Sequence, residues 1–230
     1  MSGGGGGSAP TPTTRPRRER TYRGMSTDQR RDERTGRLLG AGLDLFARRG
    51  YAATTITDVC RAAGVAPVQF YDSFASRDDL LERLYDEVAA STLAAVVAAI
   101  AASPAELRAR VGAGVTAFCD SLLDDPRRAR ILSVEVVGVS GAIEVRRRQA
   151  LRAFAELLVS EFLALEADTT DRQRADRDRL SVVAMALVGG VNEAVVDWLL
   201  RDDGRPREVL IRALTDLVVA SAGLHAGDGR

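Results

Sequence analysis

The residues that catalyse reactions or bind metals in most proteins are scarce in this chain. Its only histidine is His225, close to the C-terminus, and its two cysteines, Cys60 and Cys119, lie far apart in the sequence. No Cys/His cluster has the spacing of a metal site, and no glycine-rich phosphate loop follows a strand. These observations argue against an enzyme and against a bound metal or other cofactor.

Charged residues point instead to anion binding. The chain has 32 basic and 32 acidic residues, a formal net charge of zero. Up to Leu81, however, 13 Arg outnumber nine Asp and Glu, so this part carries +4 and the remainder −4. Such an asymmetry is typical of an anion-binding head on a neutral or acidic body.

Helices are expected to position these side chains. The chain is 46% hydrophobic, 28% charged and only 5% aromatic, which is typical of a helical protein rich in Ala, Leu and Val. Apolar residues recur three and four positions apart, and no segment alternates as a strand would. We therefore predict an all-α fold. About nine helices are expected, over residues 27–49, 56–63, 67–73, 77–102, 103–123, a short one from 125, 142–166, 174–201 and 206–222.

Signals at the ends of the short helices define a helix-turn-helix over residues 55–74. Thr55, with Asp58 three residues on, forms a capping box that starts the second helix, and Gly64 ends it. Pro67 stands at the first position of the third helix. Two short helices joined by a tight turn and braced by longer neighbours are the outline of this motif.

An ordered string of residues extends the motif in both directions. It reads Leu43-x-Leu45-Phe46-x-x-x-Gly50-Tyr51-x-x-Thr54-Thr55-Ile56-x-Asp58-Val59-x-x-Ala62-Ala63-Gly64-Val65, then Phe70-Tyr71-x-x-Phe74-x-Ser76-Arg77-x-x-Leu80-Leu81. Residues 34–81 thereby resemble the tetracycline-repressor (TetR) family of bacterial transcriptional regulators. The resemblance implies a DNA-binding head on a body that dimerises and binds a small-molecule effector. We expect a ligand-responsive repressor that binds a near-palindromic operator in double-stranded DNA as a homodimer.

Seven residues of the head are candidate DNA contacts. They are Thr55, Ala66, Pro67, Val68, Gln69, Tyr71 and Arg77. Thr55 lies at a helix N-terminus, where free N–H groups bind phosphate, and the resemblance implies phosphate contacts for Tyr71 and Arg77. Capping, core packing and a surface charge are the alternative roles of these three.

The segment that would face the bases departs from the family pattern. Residues 66–69 read Ala-Pro-Val-Gln where many relatives read Ser-x-Gly-Thr, so no relative's operator can be transferred to this chain. Gln69 can bond an adenine edge, and Val68 or Ala66 can contact a thymine methyl group. Phe70 and Phe74 are expected in the core.

The last two long helices are the expected dimer interface. Their apolar faces are wider than an isolated hairpin requires, and Gly189-Gly190 would allow close helix approach. Part of these faces is ordinary intramolecular core. The apolar residues concerned are Leu180, Val183, Ala184, Leu187, Val191, Val195 and Leu199 on one helix and Leu210, Ala213, Leu214, Leu217 and Val218 on the other.

The resemblance also implies an effector pocket between the helices of residues 80–199. Candidate lining residues are Phe118, Cys119, Phe154, Leu158, Phe162, Met185, Asn192, Glu193 and Trp198. Asn192 and Glu193 interrupt an apolar helix and are the best polar candidates, although an interface hydrogen bond explains them equally well. The mainly apolar set predicts a hydrophobic or amphipathic effector.

These expectations divide the chain into four segments. They are an Arg-rich arm over residues 1–26, disordered in isolation, the head over 27–82, the effector-binding and dimerisation body over 83–223, and a tail over 224–230. The arm either contacts DNA or is a solvated tail. A protein of the same fold that binds a ligand or a scaffold partner without DNA is the alternative, because charges over residues 27–81 balance eight to eight.

The expected location is the cytoplasm. No run approaches the roughly 20 uninterrupted apolar residues of a membrane span, and the glycine-rich start lacks the apolar block of a signal peptide. We therefore expect no membrane partner. Without an export signal, Cys60 and Cys119 are expected to be reduced thiols in the core.

Overall fold

The computed structural model describes residues 27–136, 138–164, 172–201 and 204–226. Over these residues the chain forms nine α-helices and no strand, which confirms the predicted all-α fold. The expected arm of residues 1–26 lies outside the described residues. The helices are α1 (Thr27–Arg49), α2 (Ile56–Ala63), α3 (Pro67–Phe70), α4 (Arg77–Ala102), α5 (Leu107–Leu123), α6 (Pro126–Ser133), α7 (Gly141–Leu163), α8 (Arg172–Arg201) and α9 (Arg207–Ala226).

The ends of α2 follow the predicted capping pattern. The Thr55 hydroxyl accepts a hydrogen bond from the Asp58 N–H at 3.2 Å, and the Asp58 carboxylate accepts one from the Thr55 N–H, also at 3.2 Å. Gly64 ends the helix in the left-handed conformation, with φ 63°, which disfavours any residue with a Cβ. These two ends fix the length of α2 at eight residues.

Three other helix ends differ clearly from prediction. α3 is helical only to Phe70 and continues as a turn, in which the Ser73 and Phe74 N–H groups both donate to the Phe70 carbonyl at 2.9 Å. The predicted helix start at Ser103 is wrong. The Ser103 N–H and hydroxyl both donate to the Ile100 carbonyl, at 3.1 and 2.7 Å, so this serine closes α4. α5 starts four residues later, and α9 runs to Ala226, into the expected tail.

One apolar core runs through head and body. Phe46, Phe70 and Leu80 are fully buried in the head and belong to the same cluster as Leu122 and Leu180 in the body. The expected boundary at residues 82/83 falls inside α4, which continues through both parts. Head and body are therefore two ends of one packed unit, joined by α4.

Gly42 sets the distance between α1 and α4. A Cβ at this position would lie 3.1 Å from side-chain carbons of both Leu80 and Leu84. Glycine therefore allows the two helices to pack closely.

Phe70 and Phe74, at 0% and 4% exposure, lie in the core as predicted.

The apolar faces of α8 and α9 are largely internal, in agreement with the expectation that part of them is ordinary core, and dimerisation through these two helices stays a prediction. Most of the residues expected there pack within this chain, because they share the stripe that faces the other body helices. The buried ones are Leu180, Ala184, Leu187, Val195, Leu210, Leu214 and Val218. The exposed apolar residues of the two helices include Leu217, which is one of the residues expected at the interface, and Val182, Leu200 and Val209, which are not.

Two described helices, α4 and residues Arg177–Arg201 of α8, are long and apolar enough to pass a simple test for a membrane span, although neither contains roughly 20 uninterrupted apolar residues. Core helices pass the same test. In α4, nine side chains are buried against neighbouring helices. Packing in the core thus accounts for the hydropathy of α4.

Candidate DNA-binding head and effector cavities

The third helix presents an exposed face around one buried anchor. Ala66, Pro67, Val68 and Gln69 are exposed in succession, Val68 by 77%, and Tyr71 is exposed by 60%. Between them Phe70 is fully buried, and its ring packs edge-on against Tyr71 with centroids 5.4 Å apart. The structure thus brings five of the seven candidate DNA contacts together on one surface. Their contact with DNA stays a prediction.

Thr55 acts as a helix cap in this structure. Its hydroxyl donates to the Asp58 carboxylate at 2.6 Å while accepting from the Asp58 N–H. The two hydrogen bonds from Thr55 lower the pKa of the Asp58 carboxyl, so this acid stays ionised at the N-terminus of α2. Phosphate binding by Thr55 stays a prediction.

Arg77 is half-buried and bound within the head. One guanidinium nitrogen donates to the Thr54 carbonyl at 2.6 Å, and the group stacks over the Tyr51 ring, 4.1 Å from its centroid. The structure therefore gives Arg77 a packing role within the head, whereas the alternative role expected from the sequence was a surface charge. A guanidinium has five N–H donors, so a phosphate contact stays compatible with this packing.

A cationic groove borders the exposed face, and sequence analysis missed it. Arg30, Arg31 and Arg34 of α1 line it together with Gln69 and Asp72. Arg31 donates to the Asp72 carbonyl at 3.1 Å, and Arg34 lies 3.5 Å from the Asp72 carboxylate. Three arginines spaced one and three residues apart on a helix were the available signal.

Sequence analysis also missed a hydrogen bond between the head and the body. The Tyr51 N–H donates to the Glu135 carboxylate at 2.7 Å, just beyond the end of α6. The other Glu135 oxygen lies 3.8 Å from Arg130, and the Tyr51 hydroxyl donates to Asp78. Burial, with the bond to Asp78, raises the pKa of Tyr51 and keeps its hydroxyl protonated. A lone acid within the run Val134 to Val137 was the sequence signal.

The body contains two adjoining cavities. The outer cavity, about 100 Å³, is lined by apolar residues of α4, α5, α7, α8 and α9, such as Val96, Ile100 and Leu157. At its edge Arg110 forms a two-point ion pair with Glu161, with N–O distances of 2.6 and 2.9 Å. It is an apolar chamber with one charged end.

The inner cavity is smaller and more polar. It measures about 30 Å³, and Tyr85, Arg147 and Asn192 are among its lining residues. Burial raises the pKa of Tyr85 to about 12, so its hydroxyl is neutral at physiological pH and can donate a hydrogen bond. Phe118 and Phe154 line both cavities.

The structure separates the nine candidate pocket residues into two groups. Phe118, Phe154, Leu158 and Asn192 line the cavities. The others do not: Cys119 and Phe162 are buried in the core, Met185 packs against it, Glu193 is exposed and Trp198 stacks with Arg205. Sequence analysis missed Arg110, Glu161 and the residues of α4, because charges 51 positions apart leave no local pattern.

The cysteines are both free and buried, in agreement with the expected core thiols. Burial raises the pKa of Cys119 to about 12 and also raises that of Cys60. Within the described residues, no three His, Cys, Asp or Glu side chains come together as a metal site would require.

Comparison with known proteins gives a match in the head. Residues 38–84 match the profile of bacterial regulatory proteins of the tetR family. Over a longer stretch the chain is 26% identical to the HTH-type transcriptional activator FasR of Mycolicibacterium smegmatis. That overlap is 179 residues, or 75% of this chain and 75% of the relative.

Solved structures extend the likeness over the body. The fatty acid degradation regulator FadR of Bacillus halodurans superposes with a TM-score of 0.69 at 16% identity, covering 86% of this chain and 96% of that one. FadR of Bacillus subtilis in complex with stearoyl-CoA gives 0.67 at 16% identity, covering 80% and 97%. At these identities the two structures establish the fold.

Proposed function

Because the chain belongs to the tetR family of bacterial regulatory proteins, we propose that the exposed face of α3 reads an operator and that the two cavities hold the effector. The protein is a ligand-responsive, DNA-binding transcriptional regulator. The related proteins are transcription regulators rather than enzymes, and we place this one in the cytoplasm. The head is residues 27–82 and the body residues 83–223.

The exposed face of α3 is the observation that carries the assignment of DNA readout. Val68 and Gln69 extend from it, and the family match covers this segment. Gln69 bonds an adenine edge, and Val68 contacts a thymine methyl group. Tyr71, Thr55 and Arg77 bind phosphates, and the arginine groove of α1 adds positive charge beside them.

A dimer provides the specificity that a single short helix lacks. Each direct base contact discriminates by about 1–3 kcal/mol, so two heads on a near-palindrome are required for a unique genomic site. The exposed apolar residues Val182 and Leu200 of α8 and Leu217 of α9 supply the interface. At Gly189 and Gly190 an added Cβ would meet nothing within 4 Å, which leaves room for a partner helix.

The effector is an amphipathic molecule with an apolar chain. The outer cavity offers almost only carbon atoms to a ligand, with the Arg110–Glu161 pair at its edge to meet a polar end. A structural relative was solved with stearoyl-CoA, which supports a fatty acid or its thioester. Repression is the expected direction, and a reporter gene behind the operator, with and without the effector, decides between repression and activation.

DNA selection from a random library tests the readout. We expect a near-palindromic consensus and affinity that falls steeply with salt, since arginine–phosphate contacts release counterions. The Gln69→Ala variant should change the preferred base at one symmetric pair of positions. Arg83→Ala, at an exposed site on α4, is the matched control. Absence of any salt-sensitive, sequence-selective binding would favour the same fold without DNA binding.

Sedimentation tests the interface. Leu217→Arg, at a position 50% exposed, should convert the dimer to monomers, because the charge would be buried without a partner. Val97→Arg, 45% exposed on α4, is the control and should leave the dimer intact. A dimer that survives Leu217→Arg would place the interface elsewhere.

A further inference from the structure

The two cavities lie one after the other along α4. Tyr85 and Ala89, near the start of α4, line the inner cavity, and Val96 and Ile100 line the outer one. At a rise of 1.5 Å per residue, Tyr85 and Ile100 are roughly 22 Å apart. The inner cavity is therefore the one nearer the DNA-binding head, which holds the first turn of α4.

A pair of aromatic rings separates the cavities. Phe118 of α5 and Phe154 of α7 line both, and they pack edge to face with centroids 5.6 Å apart and planes at 83°. Val188 of α8 lines both cavities as well, so this side chain and the two rings lie where the cavities meet. The charged pair Arg110–Glu161 lies in the outer cavity alone. An amphipathic ligand therefore keeps its polar end outside and directs its chain inward.

Only the inner cavity touches α6. Its lining includes Leu132 of α6, whereas no residue of α6 lines the outer cavity. Asn192, also in the inner lining, accepts a hydrogen bond of 3.3 Å from Ser133, the last residue of α6. Two residues further on, Glu135 accepts from the Tyr51 N–H of the head at 2.7 Å. A short path of contacts thus joins the inner cavity to the head.

From this arrangement we propose that the body senses ligand length. A ligand confined to the outer cavity binds without effect on DNA. A chain that passes the Phe118–Phe154 pair fills the inner cavity, displaces the Ser133–Asn192 bond and, through Glu135, loosens the head. The inference rests on the proposed function, since it assigns a regulatory role to the same cavities.

Cavity size supports an active displacement. About 100 and 30 Å³ are below the roughly 300–1,000 Å³ of typical ligand sites. A long chain therefore moves the walls as it enters, and a ligand shifts a conformational equilibrium only by its preference for one state. A chain in the inner cavity prefers the state in which α6 is displaced, because Leu132 of α6 is part of the lining of this cavity.

Two matched tryptophan variants test the proposal without any ligand. Leu151 lines only the inner cavity and Leu157 only the outer one, and both are half-buried on α7. We expect Leu151→Trp to weaken binding to the selected DNA by about fivefold or more, the range of allosteric coupling, and to speed amide hydrogen exchange at Tyr51. Leu157→Trp, which fills only the outer cavity, should change both by far less. Equal effects of the two variants would overturn the proposal.

A further variant, Ser133→Ala, tests the proposal even if the added tryptophan side chains unfold the body. It removes the bond to Asn192 without filling a cavity, so it should also speed exchange at Tyr51 and weaken DNA binding while the melting temperature stays close to wild type. No change in either quantity would refute the path through α6. If the protein bound no DNA at all, the proposed function would fail, while the exchange rates would still decide the length-sensing inference.

Straight-chain saturated fatty acids from hexanoate to stearate, and their CoA thioesters, test the ligand class. Short chains should raise the melting temperature without releasing DNA, and chains above a threshold length should do both. Release that follows binding at every length would overturn length sensing. No rise in melting temperature with any probe would show that the ligand class is wrong.

Discussion

Head and body are stabilised in different ways. In the head, individual residues make specific contacts with the backbone. Thr55 caps α2, Gly64 terminates it in a left-handed conformation, and Arg77 binds the Thr54 carbonyl. In the body, long helices pack through broad apolar faces and leave two cavities between them. The head therefore depends on specific side chains at a few positions, whereas the body depends on broad apolar packing.

Truncation of buried aromatic rings should show the largest difference. Phe70→Ala removes a ring with no exposure and two aromatic contacts, and should lower the free energy of unfolding by about 3–5 kcal/mol. Phe154→Ala should cost clearly less, because this half-buried ring already borders two cavities. Denaturant unfolding of both variants makes the measurement. Equal losses would contradict the view that the body is loosely packed at this point.

Substitution of Gly64 and of Gly189 by alanine should change the free energy of unfolding in opposite directions. Gly64→Ala should destabilise by about 1–2 kcal/mol, because alanine is strained at φ 63°. Gly189→Ala lies in a helix interior where an added Cβ meets nothing within 4 Å. It should stabilise the chain by roughly 0.5–1 kcal/mol. Loss of stability at both sites, measured under monomeric conditions, would show that Gly189 is as constrained as Gly64.

The predictable and unpredictable parts of the fold follow the same division. Thr55, Gly64 and Pro67 act on backbone groups within four residues, so their spacing alone predicts the helix ends. Ser103 shows the limit of such local prediction. Its sequence context predicts the N-terminus of α5, but its hydroxyl donates to the Ile100 carbonyl at the end of α4. A single residue can serve either neighbouring helix, and tertiary packing decides which.

The candidate site divides in the same way. The candidate DNA contacts follow from one local string, but the cavity wall is assembled from five helices. Cys119 and Phe154 are similar apolar candidates in sequence. The first proves to be core and the second lines both cavities. Which face of a helix borders a cavity depends on how the helices pack, and an apolar face that extends around the helix does not encode it.

Loss of the α2 cap should have a smaller effect. Thr55→Ala should destabilise the folded protein by about 1 kcal/mol at neutral pH. Thr57→Ala, two residues further on and exposed, is the control. Thr55 lowers the pKa of Asp58 in the folded state, so the stabilisation is present above the ordinary pKa of aspartate and lost as the pH falls through the folded value. The gap between wild type and Thr55→Ala should therefore narrow in acid, and a constant gap would contradict the carboxylate's part in the cap.

Thiol reactivity should show the smallest effect, a difference in rate alone. Cys119 in α5 has no exposure and its pKa is about 12, while Cys60 lies in the short helix α2 at 2% exposure. Both should react slowly with an aromatic disulfide reagent at pH 8, and Cys119 the more slowly, because only an exposed thiolate attacks. In guanidinium the two rates should become equal. Faster labelling of Cys119 in the folded protein would show that the body opens more readily than the head.

The continuity of α4 has a consequence for protein engineering. A fragment cut at residues 82/83 would end within a helix and lose Leu84, which packs at Gly42 of α1 in the intact chain. The head is therefore not a transplantable module. Chimaeras that pair it with a foreign sensor should retain α4 to Ala102 together with the α6 segment that reaches Tyr51.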